Sequence, residues 1–388
     1  MSSVLSPIKQ KFINTIVAYV ENKPITCELT KEEINTILKY AKYHSMENIV
    51  YNGLKNSQIT LPEGFIKYIN TLFHKAIVQD AELSNISEKF IENKIYHLPL
   101  KGSVIRHYYP TLEARNMCDL DILVKEEDFE KVKTILLDLG YIVDSEGGNH
   151  DVYEKPPFMH LEIHRKMIGE FCDNSNYYDD IFERIVTKSG AYHLTLNPED
   201  IYIFNIIHGG KHFSDGGTGL RILTDIYYIQ KQFPNLNFTY INDELKKLEL
   251  DTFGNILLNI SNSLFSNLPL STDEELVLDY LIDSGSYGTL EQSLTSELAI
   301  SEKDASNNSK IKLVLENIFP PMSFFKRRNP ILNKCPFLVP IFFFERLFKI
   351  IFNKKRRKTY VNNINNIDEE KLNRIKTIRN ITKIKNKN

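Results

Sequence analysis

The sequence has no tryptophan, few cysteines and no long apolar run. Its 388 residues contain four cysteines, Cys27, Cys118, Cys172 and Cys335. These are widely separated, form no CxxC pair and follow no N-terminus typical of a signal peptide, so we expect free thiols in a cytoplasmic setting. No apolar segment reaches the roughly 18 residues of a confident membrane span. With 42% hydrophobic and 25% charged residues, full disorder is also excluded.

The net charge of -2 hides an uneven distribution. Residues 326–388 hold 18 Lys and Arg against 4 Asp and Glu, whereas residues 1–325 hold 30 against 46. A basic segment beside an acidic body can face a phosphate-rich partner, an anionic membrane or the body itself. The acidic body argues against a nucleic-acid partner, because such partners are bound through basic surfaces.

Hydrophobic periodicity and capping signals divide the chain into four segments and predict an α+β fold. The segments are a helical N-terminal segment (1–94), a small mixed-sheet core (95–168), a helical domain (169–300), and a C-terminal part (301–388) with a loop, an apolar and basic helix and a basic tail. In the core, strands are predicted over 95–100, 118–124, 141–145, 150–155 and 158–166, and helices over 103–109 and 126–140. Residues 301–311 are expected to form a flexible loop, and residues from 359 onward a frayed helix or disorder.

Two acids, Asp119 and Asp121, lie one residue apart in the predicted strand "CDLDILV". Alternate side chains of a strand share a face, so both carboxylates point the same way while the apolar residues around them face the core. Adjacent like charges cost stability unless cations lie between them, and oxygen ligands select hard ions such as Mg²⁺. Glu162, in "LEI", adds a third carboxylate if the two strands are neighbours, which would make a two-ion site. Solvated strand-end acids are the alternative.

The Gly102-Ser103 pair ends one predicted strand and opens a helix. Backbone N–H groups at such a turn bind phosphate, and Lys101 and Arg115 are placed to neutralise a triphosphate. A turn glycine followed by an N-cap serine would give the same two letters. Together with the acids, the turn fits in-line transfer of a nucleotidyl group.

The ordered set of motifs resembles the polymerase-β-type nucleotidyltransferases. The segments "LKGSVIRHYYPTLEARNMCDLDILV" and "LEIHRKM" are most similar to the bacterial uncharacterised nucleotidyltransferases, over residues 30–290. The resemblance implies Mg²⁺ ligands at Asp119 and Asp121, a third ligand or base at Glu162, and a phosphate-contacting turn at Gly102-Ser103. It implies an NTP as substrate and leaves the hydroxyl acceptor, which is a small molecule, a sugar or a protein, undetermined.

Three other functions remain open at this point. A nucleotide-binding regulatory module without catalysis would keep the same fold. A nucleic-acid polymerising enzyme would be consistent with the basic tail, although the acidic body opposes it. A membrane-surface scaffold would use the tail as its working part.

Histidines and an acid-base pair in the helical domain form further candidates. His208, Lys211 and His212 are expected on one face of a helix that lines the cleft, in contact with phosphate or acceptor, and structural histidines are the alternative. Arg221 and Asp225 are one helical turn apart, which predicts an intrahelical ion pair.

A zinc site built from histidines is disfavoured. The candidate sets are His160, Glu162 and His164 on one strand face, and His208 with His212 on a helix. No HExxH motif is present, and a glycine pair lies between the two helical histidines where a catalytic Glu would be needed.

The segment 336–358 has bulky apolar residues almost all round a predicted helix, followed by five consecutive basic residues, 354–358. It is too short to span a bilayer. An interfacial helix held by aromatic burial and by attraction to anionic lipid fits this pattern, which predicts a cytoplasmic protein with peripheral contact at the inner membrane surface. The alternative is that the phenylalanines pack on the body of the protein.

Overall fold

The structure is a computed structural model that describes residues 4–169, 176–184, 192–301, 303–322, 324–325 and 331–384. Cys27, Cys118 and Cys335 are free thiols as predicted, and the prediction for Cys172 falls outside the described residues.

Four helices precede the sheet: α1 (Pro7–Glu21), α2 (Lys31–Tyr43), α3 (Glu47–Asn56) and α4 (Glu63–Glu92). A capping box starts α2, because Thr30 Oγ1 accepts from the Glu33 backbone N–H and Glu33 Oε2 accepts from the Thr30 N–H. All four helices lie in the segment 1–94 that the sequence predicts to be helical.

A five-stranded mixed sheet forms in the segment where the sequence predicts it. Its strands are β1 (His97–Leu100), β2 (Leu120–Val124), β3 (Ile142–Ser145), β4 (His150–Lys155) and β5 (Met159–His164), and their order is β1-β2-β5-β4-β3. Two helices accompany it, α5 (Gly102–Ile105) and α6 (Phe129–Asp138). The β2–β5 pair is parallel and the other pairs are antiparallel. The α+β fold class is confirmed.

Both faces of the central strands are covered. Leu120, Ile122 and Val124 pack with side chains of α4 and α6 in one core cluster, as the alternation predicts. Leu123 faces the other way and joins the largest cluster, which includes residues of α1–α4 and of the helices that follow the sheet. Asp121 therefore lies on a strand face that helices cover, and it is 2% exposed.

The helices that follow the sheet confirm the predicted helical pattern. They are α7 (Ile181–Arg184), α8 (Pro198–Ser214), α9 (Arg221–Gln232), α10 (Phe238–Lys247), α11 (Asp251–Phe265), α12 (Thr272–Ser284) and α13 (Leu290–Ile300). Asn197 caps α8 and Ser271 caps α12, each through its side-chain oxygen.

The C-terminal part is more regular than the sequence predicts. It contains α14 (Asn307–Ile318), α15 (Ile331–Lys334), α16 (Val339–Phe352), α17 (Lys354–Asn365) and α18 (Glu369–Thr382). The loop predicted over 301–311 is wrong from residue 307 onward, where Ser306 caps α14.

The frayed or disordered tail is also wrong for α18. Its apolar side chains Leu372, Ile375 and Ile378 are buried, and Arg374 binds the carboxylates of Asp279 and Asp283 at 2.6 and 2.7 Å. Burial and ion pairing to a distant helix offset the entropy of ordering this Asn- and Lys-rich segment. Among the described residues, no helix is long and apolar enough to cross a membrane.

Candidate active site

Two of the predicted acids meet in the sheet. Asp121 and Glu162 are opposite each other in the parallel β2–β5 register. His164, two residues beyond Glu162, brings its Nε2 within 2.8 Å of Asp121 Oδ1 and 3.2 Å of Glu162 Oε2. The neighbouring strands that the sequence analysis required are therefore present, and one imidazole joins the two carboxylates.

Lys101 supplies a positive charge to this cluster. Its Nζ lies 2.5 Å from Asp121 Oδ1. Burial lowers its pKa, but Asp121, Asp119 and Glu162 outweigh burial and leave the pKa above its usual value. Its backbone has φ 51° and ψ -122°, which side-chain-bearing residues rarely adopt and which costs about 1–3 kcal/mol. The strained turn therefore places the Lys101 ammonium beside the acids.

The three acids have different electrostatic environments. Burial and the charge of Asp121 raise the pKa of Asp119, which is partly exposed just before β2. Burial also acts on Asp121, but Lys101 and His164 outweigh it and hold its pKa well below the usual range. The pKa of Glu162 is lowered, since the hydrogen bond from His164 offsets burial. Solvated strand-end acids are excluded for Asp121.

A cavity of about 740 Å³ opens beside the cluster. Lys101, Ser103, His208, His212 and Arg221 are among the residues that line it. None of the three acids lines the cavity within the part of the chain that the structure describes. Lys101 therefore connects the two features, since it contacts Asp121 and also lines the cavity.

The Gly102-Ser103 turn is packed tightly. A Cβ at Gly102 would lie 2.6 Å from Sδ of Met117 and too close to the Arg115 guanidinium, so close approach accounts for the glycine. Ser103 is 2% exposed, and its Oγ has no hydrogen-bond partner within the described ranges. The N-cap alternative fails, because no side chain caps α5.

Arg115 lines the cavity, but its guanidinium is held by Asp225. Nε and Nη2 donate to the two carboxylate oxygens at 2.7 and 2.8 Å, and Tyr109 donates its hydroxyl to the same carboxylate at 2.7 Å. The intrahelical Arg221–Asp225 pair predicted from spacing is wrong. Arg221 instead donates to the backbone oxygen of Asn116.

The helix α8 brings two of its three candidates to the cavity. His208 and His212 line it, and their rings are 4.6 Å apart. Burial lowers the pKa of His212 to about 4 and that of His208 well below its usual value, so both imidazoles are neutral at pH 7. Lys211 is exposed and does not line the cavity.

The donor set fits Mg²⁺ at the acids. Carboxylate oxygens are the ligands that this ion prefers, and three carboxylates lie close enough to interact electrostatically, with the partly exposed Lys101 ammonium offsetting one of their charges. Sequence reasoning missed His150, which lies across from His164 in the β4–β5 hairpin. Strand alternation over 150–155 was the signal that could have found it.

Comparison with known proteins supplies one match. A family model described as "Uncharacterised nucleotidyltransferase" matches residues 30–266, which include α2–α4, the whole sheet and α8–α11. No curated protein and no solved structure matches the chain.

Proposed function

We infer that this chain, which belongs to the uncharacterised nucleotidyltransferase family, is a Mg²⁺-dependent enzyme that moves a nucleoside monophosphate from an NTP to an acceptor hydroxyl. A transferase of phosphorus-containing groups is the activity class of the family. The observation that carries the finer proposal is the parallel register of Asp121 and Glu162, with Lys101 bound to Asp121 at the edge of a large cavity.

Asp119, Asp121 and Glu162 would hold Mg²⁺, which when bound neutralises the triphosphate and makes the α-phosphorus more electrophilic. Two roles were predicted for Glu162, ligand and base, and its lowered pKa favours the ligand role. In the transfer, the acceptor oxygen bonds to the α-phosphorus, the bond from that phosphorus to the bridging oxygen breaks, pyrophosphate leaves, and the hydroxyl proton passes to solvent.

The residues of the turn and of α8 would position the two substrates. Ser103 presents a buried hydroxyl that lacks a protein partner in the described structure, which suits a phosphate oxygen as acceptor. Neutral His208 and His212 can each donate one hydrogen bond without adding charge. Arg115, whose charge is paired with Asp225, would keep the cavity wall in shape and would not neutralise the triphosphate as the sequence predicted.

The test of this function is to incubate the pure protein with Mg²⁺ and each α-labelled NTP in a cell extract. We expect label in a new product together with release of pyrophosphate, because the proposed reaction separates the α-phosphate from the other two. NTP binding by calorimetry without pyrophosphate release would contradict transfer and favour the regulatory module.

A second proposal concerns peripheral membrane contact through the segment 336–358. Four phenylalanines and one isoleucine project from it with 62–74% of their surface exposed: Phe337, Ile341, Phe344, Phe348 and Phe352. Their spacing of three or four residues places them on one face. The packing alternative holds for Phe343, which contacts Phe319 and Phe325, and fails for these five.

An exposed aromatic stripe beside a basic run matches the surface of an anionic bilayer. The residues 354–358 follow the stripe directly, so apolar insertion and attraction to acidic headgroups would act at the same place. Large exposed apolar patches on a protein surface mark interaction sites. In this proposal the segment 336–358 lies on the surface of the bilayer and does not cross it.

Replacing Phe344 and Phe348 with Ser is expected to weaken binding to vesicles that contain phosphatidylserine by at least about 100-fold, measured by flotation, since each ring that inserts contributes roughly 1.5–3 kcal/mol of burial. Phe73→Ser on α4 is the matched control, because Phe73 is also exposed but has no basic run beside it. Equal flotation of wild type and the double variant would contradict the contact.

A further inference from the structure

A cluster of two imidazoles and one carboxylate lies on the sheet face that carries Asp121. One ligand atom from each of His150, Glu162 and His164 falls within 4.8 Å of the other two. His150 Nε2 is 3.8 Å and His164 Nε2 is 3.2 Å from the same oxygen, Glu162 Oε2. The three donors therefore converge on one point.

The sheet register produces this convergence. His164 and Glu162 are two residues apart on β5 and share a face, and His150 is the cross-strand partner of His164 on β4. The rings of the two histidines are 4.9 Å apart. The strand β5 is paired with β2 on one side and with β4 on the other, so hydrogen-bonded backbone fixes the positions of the three donors.

The donors also have partners that orient them. Asn149 Nδ2 lies 3.4 Å from His164 Nδ1 and also donates to the backbone oxygen of Lys166, and the other ring nitrogen of His164, Nε2, faces the carboxylates. The third histidine of this face, His160, is hydrogen-bonded to Glu154 and faces the other oxygen of Glu162 at 3.8 Å. It lies outside the converging set.

The charges around the cluster match a divalent cation. Asp119, Asp121 and Glu162 carry three negative charges when ionised, and Lys101 offsets one of them. When an ion is bound, both imidazoles are neutral and His164 Nε2 gives its lone pair to the ion in place of its hydrogen bond to the carboxylates, so two negative charges remain for the ion to neutralise. Nitrogen donors distinguish this position from the oxygen-only site at Asp119 and Asp121, because imidazole favours transition metals over Mg²⁺.

We propose that His150, Glu162 and His164 bind one first-row transition-metal ion, of the Mn²⁺, Co²⁺ or Zn²⁺ type, beside the Mg²⁺ carboxylates. Glu162 belongs to both sets and joins the two positions. The binding site stands on its own geometry, whereas its role as the second ion of the transfer site rests on the proposed function.

The test measures Co²⁺ binding to the full-length protein without nucleotide, by visible absorption during titration, and nitrogen coupling to bound Mn²⁺ by pulsed electron paramagnetic resonance. Wild type is expected to show d–d bands and imidazole nitrogen coupling. His150→Ala is expected to weaken Co²⁺ binding on the order of 100-fold, since loss of even an outer partner of a metal ligand costs 10–100-fold. The His150 side chain is 37% exposed, so we expect His150→Ala to keep the fold.

His160→Ala is the matched control, because it removes a histidine at the same 3.8 Å from Glu162 that is not one of the converging donors. Its Co²⁺ affinity should equal that of wild type. Absence of nitrogen coupling, or equal affinity of wild type and His150→Ala, would overturn the site. Pyrophosphate release with Mg²⁺ but no Co²⁺ binding would also overturn the transition-metal site, and it would leave the proposed transfer function standing. Nitrogen coupling to bound Mn²⁺ without any nucleotidyl transfer would support the site and contradict the proposed function.

Discussion

Asp119→Asn is expected to reduce nucleotidyl transfer by at least about 10²-fold, the loss that follows removal of one stabilising group from an active site. Burial and Asp121 raise the pKa of Asp119, so its charge is held in an unfavourable place. Asparagine keeps the shape, removes the repulsion and removes a proposed Mg²⁺ ligand. Activity should therefore fall while the free energy of unfolding stays equal or rises, measured by pyrophosphate release and urea denaturation.

The matched control is Asp144→Asn, the same exchange at an exposed position of β3. Asp144→Asn should change neither the rate of nucleotidyl transfer nor the free energy of unfolding. Asp121→Asn is a poorer test, because it leaves the largely covered Lys101 ammonium, 18% exposed, without its partner and should cost up to about 3–5 kcal/mol of stability. Full activity of Asp119→Asn would contradict the assignment of the acids.

Asp225→Asn is expected to lower the free energy of unfolding by about 3–5 kcal/mol, the cost of leaving one partner of a buried ion pair alone. The partner is Arg115. The side chains of Arg115 and Asp225 are 8% and 4% exposed, and Asp225 also accepts a hydrogen bond from the Tyr109 hydroxyl. Asparagine keeps the size but cannot accept both guanidinium hydrogen bonds and neutralise Arg115. Urea denaturation measures this loss of stability, provided that the unfolding free energy depends on urea concentration with the same slope in the variant and in wild type.

Two further variants distinguish the Arg115–Asp225 ion pair of the structure from the Arg221–Asp225 pair predicted from spacing. Arg221→Met removes one hydrogen bond to a backbone oxygen and should cost about 1 kcal/mol. The double variant Arg115→Met with Asp225→Leu removes both charges and should recover most of the stability that Asp225→Asn loses. If Arg221→Met proved as damaging as Asp225→Asn, the structural assignment of the partner would be wrong.

The candidate site was predictable where its signal is local. Asp119, Asp121 and Glu162 were found from the alternation of acids and apolar residues, and the parallel register of β2 and β5 confirms that Asp121 and Glu162 are neighbours. Lys101 was expected to meet a triphosphate, and the structure adds its ion pair with Asp121. The roles of these residues in catalysis remain predictions.

The site was not predictable where its partners are distant in sequence. Asp225 is one turn from Arg221, and only the packing of α9 against the segment after α5 brings Arg115 to it from 110 residues away. His150 has no motif of its own, and the β4–β5 hairpin gives it significance by placing it opposite His164. The order in α18 likewise comes from burial and from Arg374 reaching α12.

By itself the sequence determined the helical and strand segments of the body, the strand alternation, the order of the motifs and the charge imbalance, because each can be read from the residue types along the chain. Only the tertiary structure decided which acid pairs with which base, which histidine joins Glu162 and which phenylalanines stay exposed. These outcomes depend on strand register and helix packing, and many arrangements of distant segments agree with the same local pattern until the core selects one.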